Sequence, residues 1–178
     1  MATVASEPEV AGWRPRKRLW ALLAAAIVGT VTLGAISDWR ETHVLLINAS
    51  DSLPNWAFLI RRGQRPGRGD YIFFDPPPSA LLRRHFGPKP EMFGKRVYGL
   101  AGDVVAHRGA IVTINGKPVA AMKPLTKTGE PLTPGIVGTI PPGCYYAGSP
   151  HRDGFDSRYA EIGFVCGRQI IGVGEPIL

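Results

Sequence analysis

Ser52 stands in the segment Ser50-Asp51-Ser52-Leu53-Pro54, and Lys95 follows in Gly94-Lys95-Arg96-Val97-Tyr98-Gly99-Leu100-Ala101-Gly102-Asp103. A serine hydroxyl is a weak nucleophile at neutral pH and needs a base to take its proton. Histidine is the usual base, but His43, His85, His107 and His151 are scattered and none stands in a recognisable triad motif. A lysine serves if its amine is neutral, and burial favours that form by penalising the ammonium ion. Lys95 opens an apolar strand, Val97 to Leu100, and strand alternation turns Arg96 to the opposite face. Taken singly, Asp-Ser-x-Pro is an ordinary turn composition and Lys95 an ordinary strand-edge lysine. They gain meaning by occurring together, in this order, behind a membrane-length apolar segment.

That segment is Leu19 to Ile36, 18 residues without a charge. As a helix it spans about 27 Å, just enough to cross a hydrocarbon core. Trp20 and Trp39 sit near its ends, where interfacial aromatics are favoured. Arg14, Arg16, Lys17 and Arg18 precede it, and the far flank is mixed (Asp38, Arg40, Glu41). The positive-inside rule then puts residues 1–18 in the cytoplasm as a basic tail, 19–36 in the membrane, and 40–178 outside. A cleaved secretory signal is the other reading of the same stretch; it is longer than a usual signal core, and no clean A-x-A site ends it. Either way the C-terminal part is exported.

The chain has 178 residues, and about 140 remain for the exported part, the size of one ordinary domain. Its 22 Gly and 17 Pro suit short strands joined by many turns. The formal charge is +7. Because the basic residues flank the apolar run or gather just after Ser52 (Arg61, Arg62, Arg65, Arg68), they read as topology signals and membrane-lipid contacts. No nucleic-acid motif accompanies them, so no nucleic-acid partner is expected. Cys144 and Cys166 permit one disulfide in an oxidising compartment, or stand as two buried thiols. No Cys/His cluster is present, so neither a metal nor a cofactor is expected. Gly87 to Lys95 mimics a phosphate loop, but the glycine spacing is too long and Arg96 follows the lysine.

Short strand signals recur through the exported part: His43–Ala49, Trp56–Ile60, Tyr71–Phe74, Arg96–Leu100, Val104–Ala106, Tyr145–Ala147 and Ile170–Val173. Asn115-Gly116 between apolar runs predicts a hairpin across 111–119. One helix is predicted over Ala80–Phe86, capped by Ser79, with a turn as its alternative. Residues 122–143 read as an extended loop or irregular strand. The fold class expected is mainly β, a barrel or sandwich of short strands behind an N-terminal transmembrane helix.

Three segments together resemble the type I signal peptidase superfamily of membrane-anchored Ser/Lys proteases, and within it the conjugative-transfer (TraF-type) signal peptidases. They are Asn48-Ala49-Ser50-Asp51-Ser52-Leu53-Pro54, Lys95 through Asp103, and Gly148-Ser149-Pro150-His151-Arg152-Asp153-Gly154-Phe155-Asp156-Ser157-Arg158-Tyr159. The resemblance runs from about residue 43 to 173. It implies Ser52 as nucleophile and Lys95 as general base. Ser50 then joins the Ser52 backbone N–H in the oxyanion hole, where a donor is worth roughly 3–4 kcal/mol. It also implies an Asp156–Arg158 ion pair that shapes the site, with Ser157 as packing or hydrogen-bond support.

Departures narrow the reading. Pro54 comes one residue sooner than in general signal peptidases, and this, with the single apolar segment, favours the conjugative subtype. Gly154 stands where the family usually has a serine on the lysine, leaving Ser149 or a water to replace it; Ala101 stands where the family has proline. The expectation is a peptidase at the bacterial inner membrane, with its catalytic domain in the periplasm. Its partners would be a preprotein or pilin precursor and components of a conjugation apparatus, and cyclisation of the pilin is one possible outcome. A general signal peptidase is the second reading, and a non-catalytic envelope component the third.

Overall fold

The computed structural model describes residues 14–48 and 52–177. It divides at Glu41/Thr42 into two compact units. The first is a helix, α1 (Arg14–Thr42), longer at both ends than the uncharged stretch. Its residues from 16 to 42 are exposed, and it is long and apolar enough to cross a membrane. An exposed apolar surface of this length suits lipid. The tail 1–13 lies outside the described residues.

The second unit is mainly β. In chain order it has β1 (His43–Ile47), β2 (Ala57–Arg62), β3 (Tyr71–Phe74), α2 (Ala80–Phe86), β4 (Phe93–Gly99), β5 (Val104–Arg108), β6 (Ile111–Ile114) and β7 (Lys117–Ala121). There follow β8 (Gly138–Thr139), β9 (Cys144–Gly148), β10 (Val165–Cys166) and β11 (Ile170–Pro176). Among the described residues these form two antiparallel sheets, one ordered β1-β2-β11-β3-β4-β9-β10 and the other β7-β6-β5-β8.

Local chemistry explains several elements. Asn115 and Gly116 both have positive φ (50° and 78°), the conformation a two-residue hairpin turn needs, and they join β6 to β7. The Ser79 hydroxyl accepts from the Leu82 N–H at 3.0 Å and caps α2, which buries Leu82. Phe58 and Phe73 meet edge to face at 5.2 Å beside Leu53 and Ile60, so the core reaches the connection that carries Ser52. Cys144 and Cys166 are disulfide-bonded and directly opposed on β9 and β10.

Two expectations need correction. Lys95 does not open its strand. It is the third residue of β4, because Phe93 and Gly94 already pair with Phe74 and Phe73 of β3. Residues 122–143 are not wholly irregular: Gly138–Thr139 form β8 by pairing with Val104 and Val105 of β5.

Candidate active site

Ser52 lies in the β1–β2 connection, whose ends are clamped by Asn48. The Asn48 N–H donates to the Trp56 carbonyl at 2.7 Å, and its Nδ2 donates to the carbonyls of Leu53 (3.2 Å) and Asn55 (2.9 Å). Leu53, beside the serine, is buried among Phe58, Ile60 and Phe73. Gly94 makes this packing possible. A Cβ there would come within 2.7 Å of the Phe73 ring and 3.0 Å of the Leu53 Cδ1. Ser52 itself is half-buried. Ser50 lies outside the described residues.

Lys95 comes from β4, opposite Ile72. Alternation along the strand buries Lys95 and Val97 and exposes Arg96. Arg96 instead donates to the Gly69 carbonyl at 2.8 Å and lies over the Tyr71 ring. Lys95 is only 5% exposed, and its amine sits 5.5 Å from the Phe93 ring centroid. Burial lowers its pKa from the ordinary 10.5 to about 8; the Asp156 carboxylate pulls it back up and the Arg158 guanidinium pushes it down. An amine at that value is about one-tenth neutral at pH 7, far more than an ordinary lysine.

Asp156 and Arg158 form a buried bidentate pair, Nε to Oδ1 at 2.8 Å and Nη2 to Oδ2 at 2.9 Å. Burial raises the Asp156 carboxyl above its usual range, opposed by the guanidinium it accepts from. Arg158 also donates to the carbonyls of Ser149 (2.7 Å) and Ala121 (3.2 Å), so it ties the 149–158 turn to the end of β7. Ser157 braces β9: its hydroxyl accepts from the Ala147 N–H, and its own N–H donates to the Ala147 carbonyl, both at 3.0 Å.

Ser52 and Lys95 line one cleft of about 810 Å³. Leu46, Ile47 and Asn48 form part of its wall, with Leu53, Met92 and Phe93 beside them. Sequence reasoning missed a further stretch of the wall. His85 and Phe86 of α2 and the loop residues Lys123, Leu125 and Leu132 form it. Glu130 pairs with Arg84 and His85, and Lys123 pairs with Asp153, so ionic contacts hold that loop against α2 and the 151–155 turn. The irregular composition of 122–143 carried no signal for this role. Cys144 and Cys166 lie outside the cleft lining. Among the described residues no cluster of side chains could hold a metal ion.

A serine-bearing turn and a buried lysine of lowered pKa line one cleft, an arrangement whose chemistry suits acyl transfer. A family model described as signal peptidase, peptidase S26, matches residues 17–178. The chain belongs to this family. Signal peptidase I of Bacillus caldolyticus is 34% identical over 96 residues, covering 47% of this chain and 52% of that protein. The chain thus spans about half the length of that curated relative. A signal peptidase I crystal structure from Enterococcus faecalis V583 is 26% identical and covers 62% of this chain and 97% of that one, with a TM-score of 0.38.

Proposed function

We propose that this signal peptidase family member is a membrane-anchored serine endopeptidase that cleaves exported preproteins with a Ser52/Lys95 dyad. The observation that carries the reading is Lys95: buried, lowered to about 8, and on the same cleft as Ser52. Lys95 takes the Ser52 proton as Oγ attacks the scissile carbonyl carbon. The oxyanion is held by the Ser52 N–H and the Ser50 hydroxyl. Collapse expels the amine of the C-terminal fragment, which receives the proton from Lys95. Water, deprotonated by Lys95, then attacks the acyl ester and frees Ser52. Within the large sheet β1 is an edge strand, and its residues Leu46 and Ile47 reach the cleft. An extended substrate adds there as a further strand.

α1 anchors the chain, with the basic flank cytoplasmic and the β unit in the periplasm, at the inner membrane. Lipid is then a constant neighbour of the anchor. Two substrate classes fit. The short Ser52-Leu53-Pro54 spacing favours a pilin precursor in conjugative transfer, whose own N-terminus could resolve the acyl-enzyme and give a cyclic product. The family and the Bacillus relative equally favour leader peptides of many secreted proteins.

Co-expression with a pilin precursor and with several unrelated secretory precursors, read by intact-mass spectrometry, separates these. Cleavage by wild type but not by Ser52→Ala or Lys95→Ala supports the dyad. Loss of one further water mass identifies cyclisation. Processing of the secretory set supports the general enzyme. Cleavage by either variant rules out the dyad. An inert wild type that still captures pilus or channel subunits favours a binding component.

A further inference from the structure

Gly154, which lines the cleft, and the buried Ser149 meet in one crowded corner. A Cβ on Gly154 would lie 3.0 Å from the Ser149 Cβ, 3.0 Å from the Asp156 Oδ2 and 3.0 Å from the His151 carbonyl oxygen. A serine at 154 would therefore press on the carboxylate that Arg158 holds. The hydroxyl available in this corner is that of Ser149, which is 2% exposed.

That hydroxyl has a defined task. It donates to the carbonyl oxygen of Ser52 at 2.8 Å, across 97 residues of chain, and accepts from the His151 N–H at 3.1 Å. The Ser149 carbonyl in turn accepts from Arg158 Nη2 at 2.7 Å, and the same nitrogen holds Asp156 Oδ2. A continuous chain of bonds thus runs Asp156, Arg158, Ser149, Ser52. Its far end fixes the peptide plane that follows Ser52, while the near end sets the field at Lys95.

We infer that Ser149 is a positioning residue: its hydroxyl holds the nucleophile turn in register with the buried ion pair, acting on Ser52 rather than on the lysine. The inference rests on the Ser/Lys reading above. A hydroxyl proton donated to the Ser52 carbonyl is not also available to Lys95. The Asn48 clamp leaves the turn tied to its own hairpin, whereas Ser149 ties it to β9 and the 149–158 turn, beside the strand that bears Lys95. A displaced nucleophile lowers the rate of acylation without altering how the substrate is gripped elsewhere in the cleft.

The test uses the full chain in detergent or vesicles, with a precursor that wild type cleaves and Ser52→Ala does not. Ser149→Ala removes the donor and leaves the half-buried Ser52 carbonyl without it. Its kcat is expected to fall about 10- to 100-fold with KM unchanged. The pH midpoint of kcat/KM should stay near that of wild type, because the lysine is untouched. Ser149→Thr, which keeps the hydroxyl, should recover most of the loss. If the alanine variant does not fold, Ser149→Cys, close in size and a weak donor, carries the comparison. Full activity in a folded Ser149→Ala overturns the inference. A loss accompanied by a shifted pH midpoint also overturns it and assigns the hydroxyl to Lys95. A wild type with no Ser52-dependent cleavage of any precursor instead overturns the peptidase reading itself, and this inference with it.

Discussion

Arg158 and Asp156, two residues apart, meet side by side in the interior with two parallel bonds of 2.8 and 2.9 Å, and both are almost fully buried (2% and 0% exposed). Such a pair contributes little net stability against apolar replacements, yet breaking it strands a charge. Its value here is geometric, because Arg158 also grips the carbonyls of Ser149 and Ala121.

Arg158→Met should therefore destabilise the protein by roughly 3–5 kcal/mol, since Asp156 stays buried without its partner. The Asp156→Leu/Arg158→Met double variant should lose less than the single. Urea midpoints, with the slope checked for constancy, measure both. A double variant worse than Arg158→Met would contradict this account.

With Lys95 as the proposed base, the activity should depend on pH. With its pKa at about 8, the amine is roughly one-tenth neutral at pH 7. The kcat/KM should rise about tenfold from pH 7 to a plateau above the midpoint. A flat profile over this range at constant ionic strength would exclude Lys95 as the base.

The same residue makes a stability prediction of definite sign. Folding lowers the lysine from 10.5 to about 8, so between those values the unfolded chain binds more protons and stability rises with pH. Below about pH 8 both states are charged, and the native state bears the full cost of burying the ammonium ion. Lys95→Met should be more stable than wild type at pH 7 by roughly 3 kcal/mol, a gap that closes above about pH 10.5. Chemical unfolding at pH 7 and at pH 10 tests it, and a variant less stable than wild type at pH 7 would refute it.

The Cys144–Cys166 bond closes a loop with a sequence separation of 22. By the chain-entropy estimate, reduction should cost roughly 3 kcal/mol. Both cysteines lie outside the cleft lining, so the reduced protein, while still folded, should keep its KM. Unfolding with and without reductant, together with steady-state kinetics, reports the two effects separately.

Features governed by a few neighbouring residues were legible in the chain itself. Ser79 announced the cap of α2, Asn115-Gly116 the hairpin, and Tyr71–Phe74 a strand, because capping, left-handed backbone and side-chain alternation act over a few positions. Alternation also predicted that Lys95 turns inward and Arg96 outward. Cys144 and Cys166 were left as bonded or free, and the pairing of β9 with β10 brings them together.

What residues distant in sequence do to one another was not legible. The wall built from 122–135 has loop composition, and its place comes from distant partners: ion pairs to α2 and Asp153 and backbone bonds from Gly135 to Arg158 and from Ala160 to Thr133. The two-residue strands β8 and β10 have no pattern long enough to read, since their existence depends on the partners they meet. Residue types and order pointed to a serine and a lysine and to their family. The depth at which Lys95 is buried, the balance of Asp156 against Arg158 at its amine, and the bond from Ser149 to Ser52 were decided by tertiary packing. Desolvation and hydrogen-bond geometry belong to the assembled environment and not to any local stretch of chain.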